Sequence, residues 1–360
     1  MKIAFFNWRD IKNPSAGGAE VYVHQVMKHM VGLGHDVTLF TSTFPGSPEK
    51  EIIDGVNHVR YAGKYQIFFK SYFCYNKHIK GKFDLIVESI NAMPFFTPLF
   101  AKERVIPFIH QLTRENWYSG ICYPIAFLGR HSEDHMLGLY KKLPTIAPSD
   151  STRDDLRSIG FRNISVIKGA ADVLPCADSK EKNPTLLYLG RLTKSKQVDH
   201  VLQVFSKVSK DIPDAKLWIA GRGPEESKLR KMAADLKIQD SVKFFGYVDK
   251  EKKPELLSRA HLMLFPAVRE GWGLVVLEAN ACGTSVIGYN TYGLRDSIVN
   301  GVNGFLVDDV MSMSAKTIEL LSDGDKMNTL CESSLKYSKN FNWDKTTKEF
   351  CSLFEKVIAK

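Results

Sequence analysis

Nothing in this 360-residue sequence is long and apolar enough to cross a bilayer as a helix. A spanning helix needs roughly 18 or more apolar residues in a row, and the longest apolar stretches, 93–101 and 121–128, are broken or far shorter. The opening segment MKIAFFNWRD has one Lys before a strand-length apolar run and lacks the cleavage pattern of a secretory leader, so a cytoplasmic chain is expected. Cysteine is scarce. Cys74, Cys122, Cys176, Cys282, Cys331 and Cys351 lie far apart, with no C-x-x-C and no metal-ligand spacing, which points to free thiols in a reducing compartment. The first strand is followed by the long segment Trp8 to Gly18 and not by a compact G-x-G-x-x-G, which disfavours a dinucleotide oxidoreductase. No helix-turn-helix or RNA-recognition motif is visible, so no nucleic-acid partner is expected. The only D-x-D, Asp323-Gly324-Asp325, reads as cap and turn residues between helices, and no bound metal is expected.

What is present is a globular composition, 44% hydrophobic and 25% charged, in a chain longer than one core usually serves. The net charge of +9 suits anionic partners: nucleotide phosphates, nucleic acid or an acidic membrane. Short β-rich runs alternate with amphipathic stretches, the pattern of parallel sheets covered by helices. Strands are expected at 2–7, 36–41, 84–88, 105–109, 145–147 and 165–168, with a helix over 19–33 whose apolar positions Val23, Val26, Met27 and Met30 recur at helical spacing. Irregular, Pro- and charge-containing residues 171–184 read as a linker. A second series of strands follows at 186–190, 216–221, 242–245, 262–266 and 285–288, with a helix starting at Pro224. The last helix is expected to start at an Asp344 cap and to present Phe350, Leu353, Phe354 and Val357. The expected architecture is α/β with two Rossmann-like doubly wound domains, 1–170 and 185–343, facing a central cleft, and with the helix 344–360 packing back on the first. Such sheets bind ligands at the carboxyl ends of their strands.

Three groups of residues fall at those ends in the second half. Gly190, Arg191, Lys194 and Lys196 put positive charge just beyond a buried strand, where a departing pyrophosphate needs it. The alternative is a solvated basic turn. Gly221, Arg222 and Gly223 allow a backbone to come close to a ligand, a weak signal alone. Glu270, Gly271, Trp272, Gly273, Leu274 and Glu278 combine an abrupt glycine turn, two carboxylates able to accept hydrogen bonds from sugar hydroxyls, and the amides of a helix N-terminus able to face phosphate.

Together and in this order, these residues resemble family 4 of the retaining glycosyltransferases, of the GT-B fold group. Glu270 and Glu278, with seven residues between them, match its E-x7-E motif; Gly190-Arg191 with Lys196 matches G-R-x-x-x-x-K; Gly17-Gly18-Ala19-Glu20 matches its glycine-rich first loop; and Phe341-Asn342-Trp343 resembles the return of the last helix to the first domain. The resemblance covers nearly the whole chain. It implies that Arg191 and Lys196 bind the donor pyrophosphate, Glu270 the transferred sugar and Glu278 the ribose. The amides of Gly273 and Leu274 would add to the phosphate site, His110 would lie near the reacting sugar, and Gly17 and Gly18 would approach the donor by backbone. Trp272 stands where the family usually has Phe, Ile167 to Asp172 replaces an N-G-V-D-like turn, and Tyr292-Gly293-Leu294-Arg295-Asp296 replaces a common G-G-x-x-E.

The implied activity is transfer of a sugar from a UDP- or GDP-sugar to a hydroxyl acceptor with retention, using the nucleotide-sugar as co-substrate and no bound cofactor. The rival reading is a nucleotide-binding GT-B protein that acts on a soluble small acceptor or transfers nothing. From Gly55 to Phe83 there is no Asp or Glu, while Arg60, Lys64, Lys70, Lys77, Lys80 and Lys82 are interleaved with Tyr61, Tyr65, Phe68, Phe69, Tyr72, Phe73 and Tyr75. Such a mixture suits an anionic membrane surface, giving a peripheral protein with a lipid-linked saccharide as acceptor. Trp117, Tyr118 and Tyr123 beside 121–128 are expected to extend that surface. The competing reading makes these aromatics core and the lysines an ordinary solvated face.

Overall fold

The computed structural model describes residues 1–118, 123–173, 175–176 and 179–359. The chain divides into two compact units, Met1–Gly169 with Asn342–Lys360, and Ala170–Phe341.

The first unit is built on strands β1 (Lys2–Phe6), β2 (Asp36–Ser42), β3 (Lys50–Ile53), β4 (Val56–Ala62), β5 (Leu85–Ile90), β6 (Arg104–Ile109), β7 (Thr145–Ala147) and β8 (Ile164–Val166). They form one sheet in the order β3-β4-β2-β1-β5-β6-β7-β8, parallel except for β3 against β4. Every residue of β5 is buried, as is β1 from Ile3 to Phe6; a strand covered on both faces becomes a continuous apolar run. The hairpin β3–β4 is absent from the sequence expectation. It turns at Asp54-Gly55, both with positive φ (49° and 80°), the geometry that Asp-Gly favours in a two-residue hairpin.

The last helix, Trp343–Ile358, packs within this unit: Phe350 meets Phe108 and Tyr22 (ring centroids 5.5 and 6.2 Å), Trp343 meets Tyr22 at 5.3 Å, and Thr346 Oγ1 donates to Lys168 O at 2.8 Å. Its cap is Asn342, whose Oδ1 accepts from Lys345 N at 2.8 Å. The expected cap, Asp344, sits inside the first turn, where a carboxylate suits the positive end of the helix dipole.

The second unit carries β9 (Thr185–Leu189), β10 (Lys216–Ala220), β11 (Val242–Gly246), β12 (Leu262–Phe265), β13 (Ser285–Tyr289) and β14 (Gly304–Val307) in the order β11-β10-β9-β12-β13-β14, all parallel. β14 is an addition to the expected strands, and the helix expected from Pro224 begins at Glu226. Strand order reverses between β1 and β5 in one unit and between β9 and β12 in the other, so the loops after these strands open the crevices where doubly wound sheets bind ligands. Residues 171–184 belong to the second unit, with Lys180 Nζ donating to Ala260 O (2.6 Å), Gly283 O (3.0 Å) and Thr284 Oγ1 (2.7 Å). Asp323 caps the helix Gly324–Ser338, accepting from Lys326 N at 3.0 Å, as its D-x-D reading expects. Cys74, Cys176, Cys282, Cys331 and Cys351 are free thiols; Cys122 lies outside the described residues.

Candidate active site

In the second unit the loops after β9, β10 and β12 are stitched together. Gly190 N donates to Ala220 O (3.0 Å), Leu192 N to Arg222 O (2.9 Å) and Val268 N to Ser195 O (2.9 Å). Gly221 has φ 142°, and a Cβ there would lie 1.8 Å from Gly190 O, so only glycine permits this approach of the two loops. Lys196 ends a short turn after β9, and its Nζ donates to Glu270 Oε1; both side chains are largely buried. Arg191 is exposed and makes no ion pair with a described residue, and exposed Arg222 lies over Gly246. Gly273, with φ 81°, turns the chain into the helix Leu274–Ala281, whose first amides have no acceptor within the helix. Glu278, one turn further in and 6% exposed, receives Lys253 Nζ at 2.7 Å.

The second unit thus holds two carboxylates, each bound by one lysine, two guanidinium groups that make no ion pair with a described residue, and a helix N-terminus. A buried carboxylate requires such a partner. An anion reaching Lys196 would compete with Glu270 for it and free the Glu270 carboxylate to accept other hydrogen bonds. Lys253 was not legible in the sequence, because it lies 25 residues before Glu278 on a separate helix, Lys252–Arg259, with no motif to link the two. Trp272 is buried, with its ring 5.6 Å from that of Phe341 between centroids. Gly271 links Glu270 to that buried residue.

The first unit places Gly17, Gly18 and His110 at the carboxyl ends of β1 and β6. Glu20 anchors the glycine loop, with Oε2 accepting from Gly17 N at 2.7 Å and Oε1 from Arg9 Nε at 3.0 Å. A Cβ at Gly18 would meet nothing within 4 Å, so no protein atom requires glycine there. His110 is buried; its Nε2 lies 2.9 Å from Ser89 Oγ, and burial pushes its pKa down to about 3. Glu88, buried within β5, accepts from Phe95 N (2.6 Å), Thr97 N (3.2 Å), Thr97 Oγ1 and Tyr140 OH (2.7 Å), and thereby ties down the loop after that strand.

The basic-aromatic segment divides by face. Arg60 is buried and bound to Asp10 Oδ2 (2.6 Å), Glu51 Oε2 (2.9 Å) and Pro48 O (3.0 Å), so it is not a surface cation. Phe68 and Tyr75 are core and Tyr61 is largely covered. Tyr65, Phe69, Tyr72 and Phe73 are 62, 74, 51 and 69% exposed, and their spacing puts them on one outer stripe of the turns 66–79. Lys64, Lys70, Lys77, Lys80 and Lys82 are exposed around them. Trp117 is buried, whereas Tyr118, Tyr123, Phe127 and Leu128 are exposed; 121–122 lie outside the described residues. Among the described residues no helix is long and apolar enough to cross a membrane, and no group of three His, Cys, Asp or Glu is arranged to hold a metal ion.

Two family models match successive parts of the chain, that of glycosyltransferase family 4 over residues 16–173 and that of group 1 glycosyl transferases over 177–337. The chain belongs to the family 4 glycosyltransferases, and its fold is GT-B. It is 37% identical over 145 residues to N-acetyl-alpha-D-glucosaminyl L-malate synthase of Bacillus anthracis, a match spanning 40% of this chain and 37% of that protein. The chain thus matches well under half the length of that relative. Among solved structures it is similar to sucrose-phosphate synthase from Thermosynechococcus elongatus (TM-score 0.84, 21% identity, 99% of each chain) and to HepE of Anabaena in complex with UDP and glucose (TM-score 0.79, 16% identity, 99% of this chain and 100% of that one).

Proposed function

We propose that the protein transfers a sugar from a UDP- or GDP-sugar to a hydroxyl acceptor, with retention at the anomeric carbon and without a bound metal. The observation that carries this reading is the pairing of Glu270 with Lys196, in the unit that also holds Arg191, without an ion pair to a described residue, and the N-terminus of the helix holding Glu278. Lys196 and Arg191 would take up the charge that grows on the diphosphate as the sugar leaves. Glu270 would hold the sugar, Glu278 the ribose, and the Gly273 and Leu274 amides a phosphate oxygen. Gly221 and Arg222 would line the nucleotide, while Gly17, Gly18 and His110 would serve the reacting end. The resemblance supports attack from the face the diphosphate leaves, with a phosphate oxygen taking the acceptor proton. The residues then act by orientation and electrostatics, with no nucleophile of their own. To test this, UDP- and GDP-sugars are screened for thermal stabilisation, and each hit is followed by NMR for the anomer first formed. One donor family should stabilise the protein and yield the retained anomer; an inverted product would refute the mechanism.

The acceptor has two readings. A lipid-linked saccharide at an anionic cytoplasmic membrane face is favoured by the outward stripe Tyr65, Phe69, Tyr72 and Phe73 ringed by lysines, since monomers rarely expose contiguous apolar patches without use for them. A soluble small acceptor is favoured by the name of the malate-linked relative.

A further inference from the structure

Ser89 and His110 lie on neighbouring strand ends: Ser89 is paired with Phe108 in the β5–β6 register, and His110 N donates to Ile90 O at 3.0 Å. Both residues are buried, and the one hydrogen-bond partner of Ser89 Oγ among the described residues is His110 Nε2 at 2.9 Å. Nδ1 of the same ring makes no hydrogen bond to a described residue and is not one of the fully buried unpaired polar atoms, so it keeps some contact with solvent although the residue is buried.

This asymmetry selects a tautomer. With its proton on Nε2, the ring would donate to Ser89 Oγ and strand the hydroxyl hydrogen in the interior with no acceptor, at the full desolvation cost of that donor. With its proton on Nδ1, the hydroxyl donates to Nε2 and no buried donor is left unpaired. We propose that Ser89 is a positioning residue that fixes His110 in the Nδ1–H form, so that the ring offers a ligand oxygen a hydrogen-bond donor and cannot take a proton from it. This rests on the reading above that His110 lies beside the transferred sugar; the oxygen is then one of that sugar's hydroxyls or of the phosphate it leaves.

The surroundings keep the ring neutral. Phe108 packs against it in a tilted contact at 4.1 Å between centroids, Tyr22 meets it edge-on at 6.2 Å, and Thr152 Oγ1 donates to His110 O at 3.3 Å. The titratable neighbour, Tyr22, donates its own hydroxyl to Ile167 O at 2.8 Å, and burial raises its pKa. No carboxylate or cation contributes to the shift at His110, which comes from burial alone.

The test is the long-range proton–nitrogen correlation spectrum of nitrogen-labelled full-length protein, with the His110 ring assigned by its loss in His110→Gln. A protonated Nδ1 and an unprotonated Nε2, unchanged between about pH 5.5 and 8.5, are expected. Ser89→Ala should mix the two forms and lower kcat about tenfold at nearly constant donor KM, while Ser89→Thr should restore kcat to within about threefold. A protonated Nε2 in the wild type, titration within that range, or an Nδ1–H ring that persists in Ser89→Ala would overturn the proposal. Absence of turnover by the wild type would instead refute the proposed function, and the spectra would still decide the tautomer.

Discussion

Glu270 and Glu278 show how two residues of one motif come to different work. Glu270 lies in the loop after β12 and pairs with Lys196, whereas Glu278 is inside a helix and held by Lys253. Glu270→Gln should chiefly lower transfer, while Glu278→Gln should also weaken binding of free UDP or GDP, as measured by calorimetry. Equal loss of nucleotide affinity in both variants would show the roles to be wrongly divided. A second residue-scale prediction concerns His58, buried between Asp10, His24 and Arg60, with its pKa lowered to about 4, chiefly by burial. The folded protein binds fewer protons at this site than the unfolded chain below pH 6.5, so stability is complete above that pH and is lost as pH falls towards 4. By pH 5 the loss is on the order of 2 kcal/mol, and His110 adds to the same slope. Thermal midpoints measured from pH 7 to 5 should fall less steeply in His58→Asn; an unchanged slope would contradict the assignment. At this scale the motif residues could be read from the sequence because their spacing is local. The partners Lys253 and Ser89 could not, because each meets its target from a separate element of the same unit, a contact that no spacing encodes.

Elements were legible where the pattern was strong. The strands β1, β2, β5, β6 and β9 through β13 fall where the sequence places them within a residue or two, and all but the partly exposed edge strand β11 are largely buried runs bounded by turn residues. The hairpin β3–β4 was lost although Asp54-Gly55 announces it, because reading 55–83 by composition merges strand β4 with the helical turns that follow. The same merging counted Arg60 as a membrane cation when the fold uses it against Asp10 and Glu51. What survives is the outer stripe of the turns 66–79. Its lysines should each contribute about 1 kcal/mol at an acidic surface. In vesicle flotation the wild type should bind anionic vesicles at low salt and release at high salt, and a variant with Lys70→Glu, Lys77→Glu and Lys80→Glu should not bind. Equal binding by that folded variant, or no binding by the wild type, would favour the soluble acceptor.

At the scale of the whole molecule, each unit is a doubly wound sheet with its own core, and most of the candidate site residues fall in loops at the carboxyl ends of its strands. That placement follows from topology and could be expected once the strands were in order. The base, the sugar and the acceptor depend on side-chain detail that neither the motif nor the strand order carries. The central claim is that the second unit stabilises a departing nucleoside diphosphate through Lys196 and Arg191. Its most direct measurement is the rate of nucleoside diphosphate release from the stabilising nucleotide-sugar, at saturating donor, by the wild type and by folded Lys196→Ala. Loss of this contact should remove about 2 to 4 kcal/mol of transition-state stabilisation, a fall of roughly 30-fold to several hundredfold. A rate in Lys196→Ala within about threefold of the wild type would contradict the account.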